Sequence, residues 1–124
     1  MDKNPIIIVA GEPNSIFLEI FFKSIKTQHY KCPLIIIASK KLVEEQMKKL
    51  GFIFEINILD KNYKRFNKLN NKKINLINVE YRFNNCFEKI SNKSNNYIKE
   101  SFKIALEIII KNKFSKFING PISK

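Results

Sequence analysis

Two short loops hold the residue types in this 124-residue sequence that could do chemistry: Gly11-Glu12-Pro13, and Asn119-Gly120-Pro121 with Lys124 just beyond. Each follows a run of apolar, largely β-branched residues, so each reads as the loop at a strand's carboxyl end. In open α/β sheets the ligand groups gather at that end. Glycine lets backbone approach a ligand closely, and a helix opening there presents free N–H groups to anions. In the functional reading, Gly11, Glu12 and Pro13 form the wall of a cofactor site. Asn119, Gly120 and Lys124 form its substrate side, with Lys124 pairing with a phosphate or carboxylate. The plainer reading is a strand-to-helix turn, which needs glycine for positive φ and proline for helix entry, with Lys124 merely solvated. Glu12 separates the two, because a carboxylate at that place has no packing reason to exist.

Other chemistries find little support. The sequence has two Cys, Cys32 and Cys86, far apart and outside any CxxC, and one His, His29. No zinc site can be assembled from that set, and His29, near the end of the first helix, reads as a surface residue. Two free thiols suit a reducing compartment. The formal net charge of +12 would suit nucleic acid, but Lys outnumbers Arg by 21 to 2, and Lys, Asn and Ile make 59 residues of the 124. A/T-rich codons inflate all three at once. Readers of phosphate and guanine favour the planar fork of Arg, so a dedicated nucleic-acid module is disfavoured. Lys61 to Lys73, with five Lys, one Arg, Tyr63 and Phe66, is the best basic stretch and reads as a solvated loop.

The elements that must position the two loops can be read in order. Ile6–Ala10 is a strand buried on both faces. A helix follows with Ile16, Phe17, Ile20, Phe21 and Ile25 on its apolar side, Glu19 four before Lys23, and Asn14 or Ser15 as cap. Leu34–Ala38 is a second buried strand. Ser39 caps a helix with Leu42, Val43, Met47 and Leu50 inward, stopped by Gly51. Phe52, Phe54, Ile56 and Ile58 alternate with polar residues as a third strand with one wetter face. Asp60 to Lys73 is a connection or lid, Ile74 to Val79 a short strand, and Tyr81 to Asn96 has no clear period. A helix from about Asn96 to Asn112 carries the stripe Ile98, Phe102, Ala105, Leu106 and Ile109, and Phe114 to Ile118 is the last strand. Alternating strands and helices predict an α/β fold with a mostly parallel sheet, one unit over 1–124.

The two loops also carry a resemblance. Ile6-Ile7-Ile8-Val9-Ala10-Gly11-Glu12-Pro13 resembles the opening of the 4-hydroxythreonine-4-phosphate dehydrogenase family, in which a buried strand ends in Gly-Asp/Glu-Pro before the first helix. Phe114 to Lys124 is similar to that family's strand followed by Gly-Pro-x-x-Lys. The intervening elements lie in the family's order. Where the family has Gly-Ile-Gly-Pro-Glu, this sequence has Ser15-Ile16-Phe17-Leu18-Glu19, so Ile16 and Glu19 match while bulky Phe17 and Leu18 replace Gly and Pro.

The resemblance implies a partial isocitrate/isopropylmalate dehydrogenase-like fold. It implies oxidation and decarboxylation of 4-phosphohydroxy-L-threonine in pyridoxal 5′-phosphate synthesis, with NAD and a divalent metal (Zn, Mg or Co), by a homodimer. The family's metal-binding histidines and Gly-His-Thr motif lie downstream of Gly-Pro-x-x-Lys. The expectation is therefore an amino-terminal portion of a longer two-domain enzyme, with no catalytic or metal residue of its own and no activity alone. A self-contained α/β module for a phosphorylated metabolite is the alternative, and a basic nucleic-acid domain a weaker one. The five apolar residues Ile6 to Ala10 are too few for a signal peptide or a membrane span, and a cytoplasmic location is expected.

Overall fold

The computed structural model describes residues 4–13, 15–82 and 95–121; Asn14, Cys86 and Lys124 lie outside them. The elements are β1 (Ile6–Val9), α1 (Phe17–Thr27), β2 (Leu34–Ala38), α2 (Lys40–Leu50), β3 (Ile56–Leu59), a 3-10 turn (Phe66–Lys68), β4 (Ile74–Asn78), α3 (Asn95–Asn112) and β5 (Lys116–Asn119). The strands form one sheet in the order β3-β4-β2-β1-β5, and every neighbouring pair is parallel. The predicted α/β class with a mostly parallel sheet is what forms. β2 lies at the centre, and all five of its residues are buried. No helix among the described residues is long and apolar enough to cross a membrane.

Parallel crossovers of one hand place their helices according to the direction in which they step along the sheet. β1 to β2 and β2 to β3 step toward the β3 edge, so α1 and α2 share a face, where they touch. β3 to β4 and β4 to β5 step back, which puts the 3-10 turn and α3 on the other face. There α3 lies over β1 and β2, and Phe66 meets Phe114 edge-on with ring centroids 5.8 Å apart.

Local signals hold at α2. Ser39 Oγ accepts the Leu42 N–H at 3.2 Å, and Gly51 takes φ 79° while the Phe52 N–H returns to Met47 O at 2.9 Å. On α1, Lys23 and Glu19 pair at 3.6 Å. Ser15, of the two residues offered as its cap, accepts the Phe17 N–H at 3.3 Å, while Ile16 holds the cap position itself without a side-chain bond.

Four expectations need correction. The third strand begins at Ile56 rather than Phe52, because Phe52 and Phe54 turn onto Phe22, with centroids at 5.5 and 6.4 Å. The last strand is Lys116–Asn119 rather than Phe114 to Ile118, since Phe114 is drawn to Phe66. On α1, Leu18, Phe21 and Phe22 are buried, while Ile16 and Ile20 face outward. On α3, Tyr97, Ile98, Ser101, Ile104, Ala105 and Ile108 are buried, and Leu106 is exposed.

Asparagines close the amino end of the sheet. Asn71 Oδ1 accepts the Leu34 N–H at 2.8 Å, while its Nδ2 donates to Cys32 O at 2.8 Å and Tyr30 O at 3.3 Å. Buried Asn75 donates to Asn70 O at 2.8 Å and accepts from Asn57 Nδ2 at 3.0 Å. These bonds stitch the connection before β4 onto β2 and leave the opposite, carboxyl end as the place for a site.

Candidate functional site at the carboxyl end of the sheet

β1 and β5 are neighbours in register, with Val9 beside Asn119, so the two loops leave the sheet side by side. The Gly120 N–H donates to Val9 O at 2.7 Å, and the Glu12 N–H donates to Pro121 O at 2.6 Å. Chain segments more than a hundred residues apart thus continue the β1–β5 ladder past the strand ends. Gly11, at φ +75°, has Pro121 O 2.5 Å from where its Cβ would stand, and a Cβ on Gly120 would fall 2.0 Å from Ala10 O. Both glycines are required by close backbone approach, and Gly11 also by its positive φ. The plainer reading therefore accounts fully for the glycines, and they leave no open cradle between them.

The α1 entry is tied to the same loops. Ser15 Oγ donates to Glu12 O at 2.8 Å, and the Ser15 N–H reaches the same oxygen at 3.2 Å. Gln46 Nε2, from α2, donates to Pro13 O at 3.2 Å. Phe17 Cγ lies 2.9 Å from a Cβ position on Gly120, so this bulky residue fills space beside the second loop, while Leu18 points into the core. Glu12 is only 3 % exposed. Enclosing a carboxylate costs several kcal/mol unless it is hydrogen-bonded. Asn119 is exposed, and its Nδ2 donates to Gly120 O at 3.0 Å.

Among the described residues, no three His, Cys, Asp or Glu side chains come together as a possible metal donor set. His29 is exposed just beyond the carboxyl end of α1, at the amino end of the sheet. The described residues do not fit a divalent metal by themselves.

A second feature escaped sequence reasoning. β2 and β4 are neighbours whose chains leave to opposite faces, the arrangement that opens a ligand crevice in doubly wound sheets. Here the crevice is filled from within. The Ser39 N–H donates to Tyr97 OH at 2.9 Å, and the Lys40 N–H to Asn78 Oδ1 at 2.8 Å. Of the first N–H groups of α2, which elsewhere hold anions, those of Ser39, Lys40 and Leu42 are already bonded. Tyr97 shares the buried side of α3 with Ser101 four residues on, whose Oγ donates to Tyr97 O at 2.8 Å. Placement at that spacing was the available signal.

Tyr97→Phe is expected to lower stability by about 1–3 kcal/mol, because it strands the Ser39 N–H in the interior. Burial pushes the Tyr97 hydroxyl well above its ordinary value; the Ser39 N–H bond works against this, and nearby Tyr81 adds to it. The unfolded chain therefore releases this proton first, and stability falls as pH rises above the ordinary tyrosine value of roughly 10, by up to about 1.4 kcal/mol per pH unit. Tyr97→Phe lacks this loss. Urea melts of the two chains should differ most near neutral pH and converge in alkali; a gap that stays constant would contradict the assignment.

No known family's sequence profile matches this chain, and no curated protein matches it. Among solved structures it is similar to the crystal structure of a 4-hydroxythreonine-4-phosphate dehydrogenase from Burkholderia phymatum, with a TM-score of 0.79 and 19 % sequence identity. The likeness covers 100 % of this chain and 38 % of that one. At this identity the likeness establishes the fold: the chain has the α/β architecture seen in part of that dehydrogenase.

Proposed function

We propose that this chain forms the amino-terminal portion of an NAD- and divalent-metal-dependent dehydrogenase that oxidises and decarboxylates 4-phosphohydroxy-L-threonine in vitamin B6 synthesis. The observation that carries the reading is the meeting of Gly11-Glu12-Pro13 with Asn119-Gly120-Pro121 at the carboxyl end of one parallel sheet. The fold likeness to a dehydrogenase of that name supports it. In this reading the two bonded loops are a rigid floor. Gly11, Glu12 and Pro13 line the cofactor side, with Glu12 as a fixed acceptor. Asn119, Gly120 and Lys124 line the substrate side, and Lys124 meets the phosphate. Metal ligands and the remaining substrate contacts come from polypeptide outside these 124 residues, and the working enzyme is a homodimer.

The test is NADH formation from 4-phosphohydroxy-L-threonine and NAD, with added Zn, Mg or Co, by the protein as its source cell makes it. Turnover is expected there and none from residues 1–124 alone. Glu12→Gln should lower kcat/KM by on the order of tenfold or more, the worth of one charge-assisted hydrogen bond, with unchanged circular dichroism. Absence of NADH from the source-made protein under all three metals would sink the reading.

A second reading, a small metabolite-binding module, is favoured by one observation. A groove of about 410 Å³ lies at the carboxyl ends of β3 and β4, with Leu59, Ile77 and Ile104 as apolar floor and Asp60, Lys61 and Asn78 as polar rim. Calorimetric binding of the phosphorylated amino acid to residues 1–124 without metal or NAD would support it over the dehydrogenase.

A further inference from the structure

The asparagine bonds that close the amino end of the sheet also wall a cavity beside it, away from the two loops. Its volume is about 560 Å³, a size common among small-molecule sites. One wall is the end of α1 and the segment leading into β2, with Ile25, Tyr30 and Lys31; the other is the connection before β4, with Leu69 and Lys72. Asn71 ties the walls together, since its Oδ1 accepts from Leu34 while its Nδ2 donates to Tyr30 O and Cys32 O. The Tyr30 hydroxyl shares a hydrogen bond with Ser24 Oγ of α1. These bonds fix the walls without help from a ligand, so binding there would spend little on ordering the protein.

The charged groups of the cavity are of one sign. Lys31 and Lys72 stand on different walls, His29 adds a ring N–H, and no Asp or Glu lines the space. Among the described residues the ion pairs are Lys23 with Glu19 and Lys73 with Glu55. Lys31 and Lys72 are therefore uncompensated, and Glu55 is already engaged by the neighbour of Lys72. The carboxyl end of α1 brings about half a negative charge to the same place. Two full cations outweigh it, and Ser24 O in that last turn is already taken by the Gln28 N–H at 2.9 Å. A chain with a net charge of +12 has lysines over much of its surface. This pair differs in sharing a cavity with an apolar body, made of Ile25, Leu69 and the Tyr30 ring.

We propose that this cavity binds a small phosphate monoester with an apolar, ring-sized body: Lys31 and Lys72 meet the phosphate from the two walls, and the body lies against Ile25, Leu69 and Tyr30. Two cations suit a dianion better than the single charge of a carboxylate, and a phosphate monoester carries close to two charges at neutral pH. Ammonium groups act on phosphate as point charges and need no fixed fork, so two flexible lysines can converge on it. Covering the apolar wall adds what an inorganic anion cannot supply. The cavity lies at the opposite end of the sheet from Gly11 and Gly120. It is thus separate from the candidate dehydrogenase site, and either proposal can fail alone.

Phenyl phosphate, phenol and inorganic phosphate, titrated calorimetrically into the protein as its source cell makes it, test this. Phenyl phosphate should bind about tenfold or more tighter than either of the other two. Lys31→Gln combined with Lys72→Gln should weaken it by on the order of tenfold or more, with unchanged circular dichroism. Lys99→Gln combined with Lys103→Gln removes the same charge from exposed positions of α3 and should leave binding as it is. Amide signals followed by NMR should shift at Tyr30, Lys31, Leu69 and Lys72. A phosphate ester held at the two loops would instead shift Gly11 and Gly120. Failure of phenyl phosphate to bind, equal affinity for inorganic phosphate, undiminished binding by the Lys31/Lys72 variant, or shifts confined to Gly11 and Gly120 would each overturn the proposal.

Discussion

Gly120→Ala is expected to destabilise the chain by more than about 3 kcal/mol, enough to unfold a domain of ordinary marginal stability. The added methyl would fall 2.0 Å from Ala10 O. That oxygen belongs to backbone held from the other side, where the Ala10 N–H donates to Ile37 O at 3.3 Å. Neither β1 nor β5 can retreat without breaking the ladder. Gly11→Ala combines a Cβ position 2.5 Å from Pro121 O with φ +75°, and the backbone strain alone costs roughly 1–2 kcal/mol. Gly51→Ala is the control: its φ is +79°, but nothing lies within 4 Å of the new atom, so only the strain of roughly 1–2 kcal/mol applies. Urea unfolding followed by circular dichroism should rank Gly120→Ala worst, Gly11→Ala next and Gly51→Ala mildest. If Gly120→Ala unfolds like Gly51→Ala, the two loops do not meet and the candidate site is not assembled.

Phe22→Ala is expected to cost about 3–5 kcal/mol, the range for removing a fully enclosed aromatic ring. Phe22 has no exposed surface. Its ring is the hub for Phe21 at 6.1 Å and for the half-buried Phe52 at 5.5 Å and Phe54 at 6.4 Å. Ile53, between Phe52 and Phe54 but 96 % exposed, supplies the contrast: Ile53→Ala should stay within about 0.5 kcal/mol of the parent. The effect should reach the site as well, because α1 carries Ser15 and Phe17 against the two loops. Faster amide exchange at Gly120 in Phe22→Ala would show this coupling, and equal unfolding midpoints for Phe22→Ala and Ile53→Ala would contradict the packing.

The features legible in the sequence are those whose causes are local. β1 and β2 are runs of four and five apolar residues, and such runs suit only a strand covered on both faces. α2 is bracketed by Ser39 and Gly51, whose side chain and missing side chain act within a few residues of themselves. The two strand-end loops stood out because Gly-Glu-Pro and Gly-Pro after apolar runs are turn chemistry, and turn chemistry is written in adjacent residues.

The boundaries of β3 and β5 were misplaced where aromatic partners far along the chain won over local alternation: Phe52 and Phe54 join Phe22, and Phe114 joins Phe66. On α1 and α3 the periodicity set Ile16, Ile20 and Leu106 on the inward side, and the structure exposes all three. Periodicity says that a side is apolar, but not how many strands lie beneath it.

By itself, then, the sequence determined the α/β class, the identity of most elements and the residues of the two loops, because propensity, capping and turn preference act over a few residues. Only the tertiary structure decided that β5 lies beside β1, so that Gly120 meets Ala10 and Glu12 meets Pro121. It also decided that Tyr97 seals the crevice between β2 and β4. Strand order is set by pairing energies between segments separated by whole helices, and no local pattern carries them.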